Sequence, residues 1–286
     1  MDRLKIPTLI LAAIFSLAGT GRPCAASGVG SLVLDWKGPT LEITGTAEII
    51  PGESGNIVGW QYEANLAAQK LVSAIFIRAM EIVRVDAYRT AQDVLLEERD
   101  RNERIYGYVS GHKKRKVSYT DREVTITSVF PLFGRDGFAS ILVSAGLDTG
   151  SFPKHDVYVF TKSFSGLVVD ARGLGRVPAI SPRILDEDHR VVYSKDYVDP
   201  VSFTRHGAVQ YTSDPFYRGL EDRVGENPFR LVALADEKTI ETDITIGNAE
   251  SRALIQDDAT RAHLAQGRVI IIIDEGIISQ QRDYRF

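Results

Sequence analysis

Five consecutive residues, Val269-Ile270-Ile271-Ile272-Ile273, constrain this chain more than any others. Successive side chains of a strand point to opposite faces, so a run that is apolar at every position has no wet face. It predicts a strand buried on both sides. Upstream, Asp243–Ile246 reads as another strand. Asn248 suits the N-cap of a helix running to about Gln266, and Gly267 suits its stop. Strand, helix, strand in that order fits a right-handed crossover. The polar tail from Ser279 predicts a frayed end.

The middle of the chain, from Ser163 to Tyr193, sets the frame for that unit. Gly166–Ala171 and Arg183–Leu185 read as strands. Between them stand Arg172-Gly173-Leu174-Gly175, then Pro178 and Pro182. Glycine admits positive φ and proline cannot continue a ladder, so a shaped loop is predicted. Asp186–His189 reads as a hairpin turn into Val191–Tyr193. Val157–Phe160 and Pro228–Ala235 read as further strands. Asp199–Asn227 reads as a long aromatic loop, either functional or packed over the core.

The first unit has a different rhythm. Ser31–Trp36 and Leu41–Ile50 read as strands, the second with Leu41, Ile43 and Gly45 on one face. Trp60 to about Val85 is the longest helical pattern, with Leu71 and Ile75 expected to face the core. Thr90 and Asp93 form a capping-box pattern opening a second helix to about Tyr106. Val117–Tyr119, Glu123–Phe130 and Phe138–Val143 read as strands. The expected fold is α+β: a long helix packed on a curved, mostly antiparallel sheet, followed by a second α/β unit ending in strand-helix-strand. The expected units are 27–150 and 151–286, joined by a hinge at Gly146–His155.

Residues 1–26 carry a basic head (Arg3, Lys5), an apolar run (Ile6–Ala18) and small residues before the expected cut at Ala26. That is the layout of a secretory signal peptide. A membrane anchor is the rival reading, though the run is short for ~30 Å of hydrocarbon. Lipidation of Cys24 is another, and Arg22 and Pro23 fit a lipobox badly. Cleavage would remove three of 34 basic and one of 38 acidic side chains, leaving a net charge of −6. Such a chain has no global electrostatic reason to bind nucleic acid. Periplasmic or outer-membrane-associated residence is expected.

No phosphate-binding glycine motif, zinc-ligand spacing or nucleophile elbow is present in the sequence. No catalytic residue, metal or cofactor is therefore assigned, and the chain is read as a non-enzyme. The candidate binding residues fall in two groups. Asp170, Arg172 and Arg223 could line a polar site beside the aromatic loop. The simpler reading has the first two bracing the Arg172–Pro182 loop through charge-assisted hydrogen bonds. Lys113, Lys114, Arg115 and Lys116 form the basic cluster, suited to anionic lipid, glycan or a partner protein.

The signal peptide, the two-stranded start and the helix opening Glu63-Ala64-Asn65-Leu66-Ala67 resemble the N-terminal layout of flagellar assembly protein T and related small outer-membrane lipoproteins. The stretches GLVVDARGLGRVPAISPRILDEDHRVVY, DRVGENPFRLVAL and TDITIGNAESRALI resemble the C-terminal part of uncharacterised exported bacterial proteins. The resemblance implies an envelope-associated structural or assembly protein, in the flagellar case part of a ring around the motor. Envelope proteins are its expected partners, with self-association and peripheral membrane association as extensions. Two other functions stay open: a glycan- or lipid-binding module, and an enzyme with an unrecognised site around Asp170 and Arg172.

Overall fold

The computed structural model describes residues 28–52, 56–97, 99–112, 115–143, 150–153 and 163–286. The expected signal peptide with Cys24, the strand at Val157–Phe160 and most of the expected hinge lie outside those residues, as do Lys113 and Lys114. Among the described residues, no helix is long and apolar enough to cross a membrane.

The described residues open with β1 (Gly28–Asp35) and β2 (Thr40–Glu48), followed by α1 (Ile57–Ala79), α2 (Ala91–Glu97) and α3 (Arg99–Ser110). Then come β3 (Arg115–Tyr119), β4 (Glu123–Pro131) and the short α4 (Ala139–Leu142). Asp35 makes the first hairpin turn by accepting the Lys37 N–H at 2.8 Å. On β2, Leu41 and Ile43 are buried while Glu42 is exposed, the alternation of a sheet wet on one face. Asn56 caps α1 by accepting from the Val58 N–H at 3.1 Å. Ala64, Ala68, Val72, Ile75, Phe76 and Ala79 form its buried stripe, whereas Leu71 is only half-buried. Thr90 and Asp93 exchange backbone-to-side-chain hydrogen bonds, which is the expected capping box with Asp in place of Glu.

The second unit contains β5 (Leu167–Asp170), β6 (Ile184–Leu185), β7 (Val191–Tyr193), α5 (Pro200–His206), β8 (Gln210–Thr212) and α6 (Leu220–Val224). It continues through β9 (Phe229–Val232), β10 (Ile244–Thr245), α7 (Asn248–Gln256), α8 (Asp258–Ala265), β11 (Val269–Ile272), α9 (Glu275–Ile278) and β12 (Ser279–Arg285). Four of these strands form a wholly parallel sheet in the order β8-β11-β5-β9. The small sheet β10-β6-β7 lies apart, with β6 and β7 paired antiparallel as the hairpin requires. β11 is buried at all four positions. Ile271 belongs to the main core with Leu167 and Val169. Ile270 and Ile272 pack on the other side with Val168 and with Leu220 and Val224 of α6. The all-apolar run is therefore a central strand covered on both faces, as its composition demands.

The fold is the expected α+β arrangement, with an antiparallel sheet packed against helices and a second sheet unit. Several elements differ from expectation. Phe138–Val143 contains a helix and no strand. The supposed loop Asp199–Asn227 contains α5, β8 and α6. The helix expected behind an Asn248 cap instead begins at Asn248, with Gly247 in the cap position, and breaks at Asp257, which accepts from the Thr260 N–H at 2.7 Å and so caps a new helix. The strands on either side of that helix pair lie in different sheets, so no single-sheet crossover forms.

The tail is the largest difference. It does not fray: β12 pairs antiparallel with β1 from Asp35↔Ser279 to Val29↔Arg285. The first sheet, in the order β12-β1-β2-β4-β3, is thus closed by the last residues of the chain. The main core is continuous between the units and holds Leu32, Ile43 and Phe76 together with Leu167, Val169 and Ile271. Backbone bonds reinforce the join: the Ile180 N–H donates to Arg84 O at 3.0 Å, and the Gly134 N–H to Thr204 O at 2.8 Å.

Candidate functional site

The carboxyl ends of parallel strands are where open α/β sheets usually meet their ligands. Here β5 ends at Asp170, β8 leads into Ser213, and β11 leads into Asp274 and Glu275. Asp170 accepts from Arg172 three times, from its backbone N–H at 3.2 Å and its guanidinium at 2.9 and 2.6 Å. The Arg172 guanidinium holds the Asp170 carboxyl below the usual carboxylate range. Asp274 accepts the Gly173 N–H at 3.0 Å, and Glu275 accepts the Ser213 hydroxyl. Each of these acids is thus committed to a local partner. Among the described residues, no three His, Cys, Asp or Glu side chains group to hold a metal ion.

The loop beyond Asp170 is shaped as its composition predicts: Gly173 has φ 76° and Gly175 has φ 62°. Its buried fastener, however, is Arg176. That side chain is 6% exposed and donates to the carbonyl oxygens of Thr239 and Ile240, both at 3.2 Å. Arg172 stands in solvent, so it does not brace buried carbonyls. Arg176 carried no motif; only its place between two loop-forming elements could have marked it.

Arg223 is not brought near Asp170 and Arg172. Its neighbour Val224 receives the Ser165 hydroxyl hydrogen bond at the amino end of β5, opposite the end occupied by Asp170. Arg223 donates to the carbonyls of Gly207 at 3.0 Å and His206 at 3.2 Å, and to His206 Nδ1. Those carbonyls end α5, where a cation meets the negative end of the helix dipole. Burial pulls the Arg223 pKa down to about 10, so it stays charged at neutral pH. Burial, with the Arg223 charge beside it, drives His206 down to about 4. A neutral imidazole that accepts at Nδ1 carries its proton on Nε2.

The basic cluster is described only in part. Arg115 and Lys116 begin β3, an edge strand of the first sheet, and Lys116 is exposed. Charges on an edge strand oppose unwanted strand pairing. Beside β3 lies a surface outside the core-facing stripe of α1. Val58 (69% exposed), Tyr62 (64%) and Leu66 (38%) follow one another at four-residue spacing on α1. They form one apolar stripe on the helix. Asn65 on the same helix donates to the Tyr119 hydroxyl at 2.9 Å, tying the stripe to the half-exposed ring at the end of β3.

Comparison with the curated proteins found no match to this chain. Residues 166–275 match the family model described as Treponema pallidum Tp0624, second domain. The match takes in the parallel sheet, the glycine-bearing loop and the small sheet, and leaves β1, β12 and α1 outside it. The second unit of this chain is thus similar to the second domain of Treponema pallidum Tp0624.

Proposed function

We propose that this chain is an exported, envelope-associated assembly protein that acts through protein–protein contacts and not through catalysis. The observation that supports this reading is the apolar stripe Val58, Tyr62 and Leu66, bordered by Tyr119. A row of large apolar side chains left in water at helical spacing is the pattern of a helix face awaiting a partner. The layout of residues 1–26 supports export. Service in a flagellar ring is the narrower form of the proposal and rests only on the N-terminal resemblance.

The test is photo-crosslinking in cells from an unnatural photoreactive residue at position 62. A discrete adduct in the envelope fraction is expected, and Leu66→Asp should abolish it while leaving the melting temperature unchanged. No adduct, or an adduct indifferent to Leu66→Asp, overturns the proposal. Release of the protein from envelopes by moderate salt alone would instead favour lipid or glycan binding through Lys113–Lys116.

A further inference from the structure

A cavity of about 250 Å³ lies where the first sheet meets α5, β8 and α6. Trp36, Pro39 and Phe133 wall it from the first unit; Arg205, His206, Val209, Tyr211 and Arg223 face them from the second. Trp36 and Tyr211 meet edge to face at 5.8 Å. The Tyr211 hydroxyl is turned away to the backbone of Ala179, so its ring serves as apolar wall. The only charged side chains in the lining are two guanidiniums, Arg205 and Arg223, and neither forms an ion pair with a described carboxylate. Arg223 Nε is buried and has no hydrogen-bond partner.

We propose that this cavity binds a small carboxylate carrying an aromatic or branched apolar body. The carbonyls of His206 and Gly207 supply dipoles to Arg223, but a full opposite charge offsets a buried guanidinium better than dipoles do. Two guanidiniums in one lining favour an anionic guest, and the flat fork of a guanidinium suits a carboxylate. The neutral His206 adds no competing charge. Trp36, Phe133 and Val209 supply the surface for the apolar part. The volume lies below the roughly 300 Å³ where drug-sized pockets begin, which limits the guest to a small molecule. Nothing in this depends on the α1 stripe, so the cavity and the contact surface stand or fall separately.

Trp36 is the natural reporter. In a Trp60→Phe background, the protein is titrated with phenylacetate, 3-phenylpropionate and 4-methylpentanoate, and with the amide of each. At least one acid should give a saturable change in Trp36 fluorescence at millimolar concentration or below, with its amide at least ten-fold weaker. Arg223→Gln should weaken that acid at least ten-fold without altering the far-ultraviolet circular dichroism. Because Arg223 also caps α5, the acid–amide comparison on the unaltered cavity decides the matter if this variant does not fold. No saturable signal from any acid, or equal binding of acid and amide, overturns the proposal.

Discussion

His206 shows how burial converts a surface-like side chain into a pH-dependent stability element. Its pKa is near 4 in the fold, against ~6.5 for a free imidazole. Above about pH 6.5 both folded and unfolded chains hold it neutral, and it costs nothing. As pH falls from about 6.5 to 4, the unfolded chain takes up a proton that the folded chain refuses, so stability declines. Below about 4 both forms are protonated and this loss levels off. Asp170 and Asp236, held below the ordinary carboxylate range by Arg172 and Thr239, lose their contribution only at lower pH. Denaturant melts should therefore show stability falling between pH 6.5 and 4, and His206→Gln should flatten that limb while leaving the more acidic one. An unchanged limb would place the titration elsewhere. Asp243 makes the complementary point. It is fully buried, and Arg183 binds it through its backbone N–H at 3.1 Å and its Nε at 2.9 Å. Asp243→Ala should cost about 2 kcal/mol in a denaturant melt, because a buried charge-assisted set is lost while Arg183 can still reach water.

At the scale of elements, the packing of α1 on the first sheet depends on one small residue. A Cβ at Gly45 would lie 2.8 Å from Ala68 O and 3.1 Å from Leu71 Cβ. The helix backbone lies this close because β2 has no side chain there. Gly45→Ala should lower stability by about 1–3 kcal/mol, since backbone must shift to admit the methyl group. Ile75→Ala should cost about 2–5 kcal/mol. Leu71→Ala should cost less, because Leu71 is only half-buried. A larger loss at Leu71 than at Ile75 in chemical denaturation would contradict this packing. The helix itself was legible because 23 residues give a period many chances to repeat. Short elements gave none. Phe138–Val143 is apolar enough for strand or helix, and periodicity cannot separate the two over six residues. α5 did announce itself, through Asp199 followed by Pro200 and closed by Gly207. Asp199 accepts from the Ser202 N–H at 2.8 Å, Pro200 opens the first turn, and Gly207 has φ 76°. The aromatic content of that stretch masked those signals. The candidate site was less legible still. Asp170 and Arg172 stand two residues apart and do meet, whereas Arg223 meets the carbonyls and the His206 ring at a distant helix end, which no local pattern records.

For the whole molecule, the decisive event is the return of the chain end to its beginning. β12 has no apolar periodicity, and its burial alternates only weakly. What makes it a strand is the open edge of β1, whose N–H and C=O groups need partners. The Trp36 N–H donates to Ile278 O at 3.0 Å, extending the ladder to the end of α9. The last residues thus hold together a sheet whose other strands lie in the first half of the sequence. Deleting Ser279–Phe286 should therefore weaken the first unit more than the second. Amide hydrogen exchange should accelerate in β1 and β2, while β11 and β5, central in their own sheet, keep their protection. The bared β1 would offer its edge to another copy, so sedimentation should show more association for the truncated chain than for the full chain. Both effects follow from one cause, the loss of the seven residue pairings of β1 with β12. Unchanged exchange in β1 and β2 would mean that the tail is ornamental and that the first sheet is complete with four strands.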